Sequence, residues 1–418
     1  MVRRATLLQA MHAKMRKLKL HYSVVDTYPP FRLDVADLFG DYLAKKNIQL
    51  TWFMQREQSG PSGAAFYHDQ LVNLPKKRAG KNVIDKILNK LFYWFFDWFG
   101  IVKLIIKDVD IIQTRDKYIA SLLGLLVARI KGVKYIYWCS YPFPELALIK
   151  ANNKTGFYRV IAKLNARILH FILYKIIMRF ADHSFVQSEQ MLNNIAAYGV
   201  KKGCMTAVPM GVPSRLMQWA NANPITIVSD KIVYVGTLDS VRHLDMLIDA
   251  FAKVHQQRPT AKLVMVGEGV IPQDKINLQQ QAQRLGLAHA VEFTGFLPIE
   301  QAWAIAASAA VCVSPIYPSF ILECGSPTKL YEYMALARPV VCNHHPEQTY
   351  AINESKAGLC VEWGAQPFSN AIKNLLNDPI LAEQAGKKGP AWIKNNRAYS
   401  IISETVWRKY QDIMRAAV

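Results

Sequence analysis

Cysteine is scarce and scattered in this chain: six in 418 residues (Cys139, Cys204, Cys312, Cys324, Cys342 and Cys360), with no C-x-x-C pair among them. That argues against a zinc site or a disulfide framework and suits a reducing, cytoplasmic compartment. Internal repeats and low-complexity runs are absent. The basic start of the chain carries no apolar stretch with a small-residue cleavage site, so no signal peptide is expected. Bilayer-length apolar runs are missing too. The best candidate, residues 91–106, is interrupted by Asp97 and Lys103 and falls short of the roughly 20 apolar residues a spanning helix needs. What the first half lacks most is negative charge. Residues 1–220 hold 33 Lys and Arg against 14 Asp and Glu, and the remainder holds 18 against 17. A field so lopsided draws polyanions to one half of the molecule, whether nucleic acid, anionic lipid headgroups or a diphosphate-bearing substrate.

Short apolar runs alternate with helical patterns throughout, the mark of an α/β protein with parallel sheets wrapped by helices. In the first half, strands are expected at residues 21–26, 48–54, 109–114, 134–139 and 183–187, with helices at 33–46 and 119–130. Val-Pro-Met-Gly-Val-Pro at residues 208–213 and a polar, turn-rich stretch at 218–224 mark a domain boundary. The alternation then restarts, with strands at 232–235, 262–266, 291–293, 311–313 and 340–342 and helices at 244–257, 273–285, 299–307 and 327–337. Two doubly wound, Rossmann-like domains are therefore expected, residues 1–213 and 224–398. A ligand cleft between them follows from the rule that open parallel sheets bind ligands beyond the C-terminal ends of their strands. Residues 399–418 read as a last helix whose apolar face, including Val406, Trp407 and Tyr410, is expected to pack back on the N-terminal domain.

Two segments of the first half are both aromatic and basic. Residues 83–107 cluster Trp94, Phe95, Phe96, Trp98 and Phe99 among Lys86, Lys90 and Lys103. Such a helix suits either the headgroup layer of a membrane, with its lysines snorkelling outward, or the domain's own sheet. Residues 160–180 place Lys163, Arg167, Lys175 and Arg179 at near-helical spacing, and packing on the domain's own sheet is the reading preferred there.

The strongest chemical signal is Cys324-Gly-Ser-Pro-Thr-Lys-Leu-Tyr-Glu-Tyr-Met-Ala-Leu-Ala-Arg-Pro-Val-Val341, a turn feeding a helix that feeds a buried strand. Ser326 as N-cap and Pro327 at the first helical position would leave free backbone N–H groups facing an anion. Lys329 adds a positive charge there, and Glu332, one turn on, can accept two hydrogen bonds from the vicinal hydroxyls of a ribose. Taken alone, a capped surface helix with a Lys/Glu pair would look the same. Tyr234-Val-Gly-Thr-Leu238 supplies the context: Gly236 ends a strand, Thr237 follows, and Arg242 stands just before the next helix, able to clamp a diphosphate. Val264-Met-Val-Gly-Glu-Gly269 brings Gly267 and Glu268 to another strand end.

From residue 232 onward the chain resembles the retaining family 4 glycosyltransferases of the GT-B fold, through Y-V-G-T-L with a downstream cation, L-V-M-V-G-E-G, F-T-G-F-L-P and E-Y-M-A-L-A-R-P-V-V. The first half is similar more loosely, at Asp110-Ile-Ile-Gln-Thr-Arg-Asp116, Ala181-Asp-His-Ser-Phe-Val-Gln-Ser-Glu189 and Val208-Pro-Met-Gly-Val212. The resemblance implies two glutamates eight positions apart that contact the donor. The ribose-binding one falls on Glu332, and the other falls on Cys324. A thiol cannot accept hydrogen bonds from the donor sugar as a carboxylate does, so either Glu323 reaches in or the sugar is held differently. The family's arginine after the strand glycine is Thr237 here, and its phosphate-binding lysine falls on Arg242. Gly325, Ser326, Pro327, Thr328 and Leu330 complete the implied donor-binding stretch. The glycine-rich first loop of many members is Tyr28-Pro-Pro-Phe-Arg32 here, and the histidine often found after the 135–138 strand gives way to Cys139-Ser-Tyr-Pro-Phe-Pro144. On the acceptor side this singles out Pro30, Phe31 and Arg32, then Arg115, Ser140, Tyr141, Ser188 and Glu189.

The implied chemistry displaces a nucleoside diphosphate through an oxocarbenium-like transition state, with Arg242, Lys329 and the helix start stabilising the leaving phosphate. No cofactor and no metal are expected: Asp108-Val-Asp110 spells D-x-D, but its second aspartate leads straight into a buried strand. The expected partners are a UDP- or GDP-sugar, a lipid-linked or saccharide acceptor and an anionic membrane surface, at the cytoplasmic face of the cell membrane. Two rivals stand beside this reading: another GT-B nucleotide-sugar enzyme such as an epimerase, and a degenerate membrane-bound scaffold. Nucleic acid is not expected as a partner, because no nucleic-acid module is present and the basic residues are interleaved with long aliphatic and aromatic stretches.

Overall fold

The computed structural model describes residues 16–56, 60–76 and 82–416, apart from the side chains of Lys90 and Trp94. It divides into two units, residues 1–209 with 402–418, and residues 210–401.

The first unit is built on strands β1 (Leu18–Tyr28), β2 (Ile48–Arg56), β3 (Gly63–Tyr67), β4 (Gln70–Leu74), β5 (Ile111–Arg115), β6 (Lys134–Cys139), β7 (His183–Val186) and β8 (Met205–Ala207). They lie in the order β3-β4-β2-β1-β5-β6-β7-β8, parallel except for β3 against β4. The β3–β4 hairpin and β8 are additions to the strands expected from sequence. Leu20, His21, Tyr22, Ser23 and Val24 are all buried, so β1 is covered on both faces as a central parallel strand must be.

Helix α1 (Val83–Val102) carries three stripes. Asp97, Gly100 and, just past the helix, Leu104 are buried. Asp97 forms a 2.8 Å ion pair with Lys117, and Ser23 Oγ donates to it at 2.8 Å. Phe96 packs on Phe53, while Ile84, Ile87, Leu91, Phe95, Trp98 and Val102 are exposed. Beside α1 lies α2 (Tyr118–Lys131), closed by Gly132 in the left-handed conformation at φ +70°.

The reading of residues 160–180 as packed on the sheet needs correction. In α3 (Gly156–His170) only Ala166 is buried, whereas Phe157, Tyr158, Val160, Ile161, Leu164 and Ile168 are exposed. The core is reached only in the following wide turn, through Leu173, Tyr174, Ile177 and Met178. The pattern itself is amphipathic, with Phe157, Ile161, Leu164 and Ile168 on one face, but that face is turned outward rather than onto the sheet.

The second unit begins earlier than expected: residues 214–222, partly read as linker, form helix α4 (Ser214–Ala222), with Leu216 buried. Its strands are β9 (Val228–Val235), β10 (Lys262–Val266), β11 (Val291–Gly295), β12 (Ala309–Ser314), β13 (Val340–Asn343) and β14 (Gly358–Val361). They are all parallel, in the order β11-β10-β9-β12-β13-β14. Renumbered within the unit this is 3-2-1-4-5-6, the Rossmann order, whose ligand crevice lies where the order reverses, beyond β9 and β12. Alternate residues of each strand feed opposite cores. Ile232, Tyr234, Leu263, Met265 and Val311 face α5 (Asp245–Gln257). Val233, Val264 and Cys312 face α6 (Thr328–Ala335) and its neighbours.

The last helix, α7 (Tyr399–Arg415), belongs to the first unit from residue 402 on, where Tyr410 Oη donates to Gln113 Oε1 at 2.6 Å and its ring meets Phe185 edge-on.

Asp97 and Lys117 are both buried, and removing one partner of a buried pair costs about 3–5 kcal/mol because the other charge stays uncompensated. Asp97→Asn is therefore expected to lose that much stability in urea unfolding, and Asp97→Leu combined with Lys117→Leu to recover most of it.

Candidate donor site

The site of the second unit starts at the C-terminal end of β9. Gly236 has φ +149° and donates its N–H to Val266 O at 2.9 Å. Gly267, after β10, has φ +143°, and a Cβ there would sit 2.0 Å from Gly236 O, so the two loops pass in backbone contact that only glycine permits. Leu238 N–H donates to Glu268 O at 3.0 Å and Gly267 N–H to Gly295 O at 3.0 Å, tying the ends of β9, β10 and β11 into one platform.

Helix α6 is pinned to this platform by Tyr333, whose hydroxyl accepts from Val235 N–H at 2.6 Å. The N-cap expected at Ser326 is not formed. The helix starts at Thr328 with Pro327 in the cap position, and Ser326 Oγ instead accepts from Met210 N–H at 3.0 Å. Ser326 thus fastens the Val-Pro-Met-Gly-Val segment to the helix start, and the first N–H groups of α6 carry no side-chain cap.

Lys329, in the first turn of α6, reaches back over the platform. Its Nζ lies 4.0 Å from the centre of the Tyr234 ring and 3.0 Å from where a Cβ on Gly236 would be. The amine is buried and has no hydrogen-bond partner. Burial first, then the positive Arg242 nearby, holds its pKa well below that of a free lysine, and Glu332 opposes this only in part. Tyr234 Oη donates to Thr237 O at 3.1 Å, and burial pushes the phenol up to about 12 against the pull of Arg242. Arg242 closes a short 3₁₀ turn, followed by His243 at φ +50°. The structure thus brings Gly236, Thr237, Gly267, Arg242 and Lys329 around one ring, Tyr234, that the sequence reading had not assigned a role.

Glu332 follows one turn later. Burial pushes its carboxyl up to about 7, resisted by Trp303, Arg215 and Lys329. The buried indole N–H of Trp303 makes no hydrogen bond of its own, and is close enough to Glu332 to lower its pKa without closing on it. A half-buried carboxylate with spare acceptor capacity and an unused donor beside it suits a ligand carrying hydroxyls.

Other candidates are occupied. Glu268 pairs with Lys275 at 2.6 Å and accepts from Gly269 N–H, and its pKa is lowered, by Lys275 first. Cys324 is buried, its thiol directed to Phe320 O at 3.1 Å. Glu323, at the end of the short Phe320–Glu323 helix, has no hydrogen bond or ion pair from its carboxylate among the described residues. His345, which sequence reading missed, stands behind this turn, its Nε2 on Leu322 O at 3.1 Å and its Nδ1 unpartnered.

In the first unit, Arg115 is buried between Asp34, at 2.7 Å, and Asp116, at 3.4 Å. Ser140 donates both its N–H and its hydroxyl to Asp116. Ser188 caps the Glu189–Ala197 helix by accepting from Met191 N–H at 3.1 Å. These three side chains hold the strand ends in place. Pro30 is buried, Arg32 and Tyr141 are partly buried, and Phe31 and Glu189 are exposed. The sequence reading missed Asp26, whose Oδ2 is buried without a partner and whose pKa is raised by burial. Asp108 and Asp110 are held by Arg16 and Lys19 at the start of β5.

Two family models match the chain: one described as Glycosyl transferases group 1, over residues 229–378, and one described as Glycosyltransferase Family 4, over residues 35–215. Solved structures of similar fold include sucrose-phosphate synthase from Thermosynechococcus elongatus, at 18% identity and TM-score 0.71, covering 96% of this chain and 100% of that one. Anabaena Alr3699/HepE in complex with UDP-glucose matches at 15% identity and TM-score 0.64, over 94% of this chain and 99% of that one. WaaG, a glycosyltransferase involved in lipopolysaccharide biosynthesis, matches at 14% identity and TM-score 0.62, over 92% and 98%. With both units matched in order and the GT-B fold in place, the chain belongs to the family 4 glycosyltransferases.

Proposed function

We propose that this glycosyltransferase moves a hexose from a nucleoside-diphosphate sugar, UDP- or GDP-linked, to a lipid-linked or saccharide acceptor at the cytoplasmic face of the membrane, in envelope or exopolysaccharide assembly. The observation that carries the donor side is the Lys329 amine, buried without a partner beside Arg242 and above two glycine turns. Burial and the neighbouring Arg242 disfavour the charged amine in the empty site, and an arriving diphosphate would offset both by supplying negative charge. Glu332, one helical turn on, would then take the ribose hydroxyls. The UDP-glucose found in the Anabaena protein fits this assignment.

In the reaction, the bond from the sugar's anomeric carbon to the β-phosphate oxygen breaks and the acceptor oxygen bonds to that carbon. The acceptor's proton leaves with the diphosphate. Attack on the face the diphosphate vacates gives retention without a protein nucleophile. Arg242 and Lys329 stabilise charge growing on the leaving phosphate, and neither step calls for a metal.

For the acceptor side, support comes from the exposed faces of α1 and α3, which set Ile87, Phe95, Trp98, Phe157 and Leu164 in a strongly basic half of the chain. Among the described residues no helix is long and apolar enough to cross a membrane, so contact would be peripheral.

Calorimetry with uridine, guanosine, adenosine and thymidine diphosphates and their sugars is expected to find one base bound selectively, with binding weakened at least tenfold in Glu332→Ala. No binding by any of them would overturn the donor assignment. Binding favours both the ionised Glu332 carboxyl, raised to about 7 in the empty site, and the protonated Lys329 amine, so the two contributions oppose each other with pH; Glu332→Gln removes the first and should make donor affinity fall more steeply with rising pH across 6–8 than it does in the wild type. Arg242→Ala is expected to lower kcat more than donor affinity, since it acts on developing charge. Sedimentation with phosphatidylglycerol vesicles should fall severalfold in Ile87→Ser/Phe95→Ser and with added salt.

A further inference from the structure

One cavity of the first unit is unconnected with the chemistry above. It is a groove of about 720 Å³ between α1 and the sheet face formed by β1, β2 and β4, within the size range of small-molecule sites. It opens toward the N-terminal ends of the strands: His21 on its floor and Asp26 at the other end of β1 are five residues apart, about 16 Å along an extended strand.

Its lining changes character from floor to rim. Phe53, Leu71, Phe92, Phe96 and Phe99 make an apolar wall. On the floor stands His21, 1% exposed, both of its ring nitrogens buried without a hydrogen-bond partner. Burial, then Lys117 and Lys107, lowers its pKa to about 3, so the ring is neutral, with one donor and one acceptor unused. Thr51, the register partner of His21 on β2, lies beside it. At the rim, Lys76, Lys103 and Lys107 have no ion-pair partner among the described residues, while Asp108 is already held by Arg16 and Lys19. Phe92, Phe96, Phe99 and Lys103 form the stripe of α1 adjoining its exposed apolar stripe, so the groove is continuous with the face proposed to meet the membrane.

An apolar wall, an unsatisfied polar floor and a cationic rim describe an anionic amphiphile in negative. We propose that this groove binds one molecule of an anionic glycerophospholipid, its phosphate at Lys103 and Lys107, an ester or hydroxyl oxygen at His21, and the start of one acyl chain along Phe53, Phe92 and Phe96. The site is separate from the donor site, and the bound lipid anchors the first unit rather than reacting. The proposal rests on the membrane-facing reading of that unit for the source of its ligand.

The test uses the full chain and dihexanoyl-phosphatidylglycerol below its critical micelle concentration, with titration calorimetry and native mass spectrometry as readouts. One molecule is expected to bind per chain. Affinity should fall at least tenfold in Thr51→Trp, which fills the groove, and severalfold in Lys103→Glu/Lys107→Glu, which leaves the interior untouched. Dihexanoyl-phosphatidylcholine should bind more weakly and glycerol 3-phosphate hardly at all. Unchanged amide hydrogen exchange across β1, β2 and α1 in each variant establishes that the first unit is folded. No uptake by wild type, equal uptake by Thr51→Trp, or equal binding of glycerol 3-phosphate would each overturn the proposal. Wild type that sediments with vesicles yet takes up no monomeric lipid would sink the groove and leave the peripheral-membrane reading standing. Ile87→Ser/Phe95→Ser should lose vesicle sedimentation while still taking up the monomeric lipid.

Discussion

Lys329 occupies a position where a primary amine is costly to keep. It has no counter-charge in contact, no hydrogen bond and a second cation nearby, and the Tyr234 ring 4.0 Å away offers only a partial substitute for water. A cation–π contact of this kind contributes about 0.5–2 kcal/mol, against several kcal/mol for removing an ion from solvent. Burial and Arg242 both work against its charge, and that conflict places the surrounding architecture in a single frame. Backbone contact between Gly236 and Gly267 leaves room above the strand ends. The Val235–Tyr333 hydrogen bond holds α6 so that its first turn overhangs that room. Glu332 carries the opposite conflict on the same helix, a carboxyl driven toward neutrality by burial. Donor binding can resolve both at once, which is a stronger basis for selectivity than either residue would have alone.

The two units differ in how they use charge. In the second, Arg397 pairs with buried Glu347, but the Lys329 amine near the strand ends is left without a partner. In the first, buried charges are paired: Arg115 with Asp34 and Asp116, and Lys117 with Asp97. Three lysines of the first unit without an ion pair among the described residues, Lys76, Lys103 and Lys107, stand at the rim of the groove beside α1. A strongly basic half-chain therefore need not mean a basic active site, since its positive charge is divided between interior pairs and an outer surface.

Much of this was legible in the sequence. Alternation of buried runs and amphipathic helices identified both Rossmann-like units, because strands covered on two faces leave an unmistakable apolar signature. The β3–β4 hairpin escaped because Gly63–Tyr67 is half exposed along its length and lacks that signature. The motif stretch from Cys324 to Val341 pointed to Lys329 and Glu332 only together with Tyr234-Val-Gly-Thr-Leu238 and the family resemblance. What spacing could not convey was the environment. Tyr234 lies 95 positions before Lys329 in the sequence, and only the fold lays its ring beneath the amine. Arg115 ends a strand in a loop-like motif and so reads as accessible, yet Asp34, from a different helix, draws its guanidinium inward. Ser326 failed as a helix cap because Met210, remote in sequence, competes for the same oxygen.

The path of the chain through α7 bears on how the protein is made. Residues 402–418 complete the first unit, with Tyr410 buried against Gln113 and Phe185. Domains generally fold as they leave the ribosome, N-terminal first, but here the earliest segment cannot close its core until the last helix has been synthesised. The second unit, contiguous in sequence, has all of its parts first. Until residues 402–416 have emerged, nascent chains should therefore carry a folded donor domain and an unfinished, aromatic-rich partner upstream, a window in which chaperones or a nearby bilayer have something to hold.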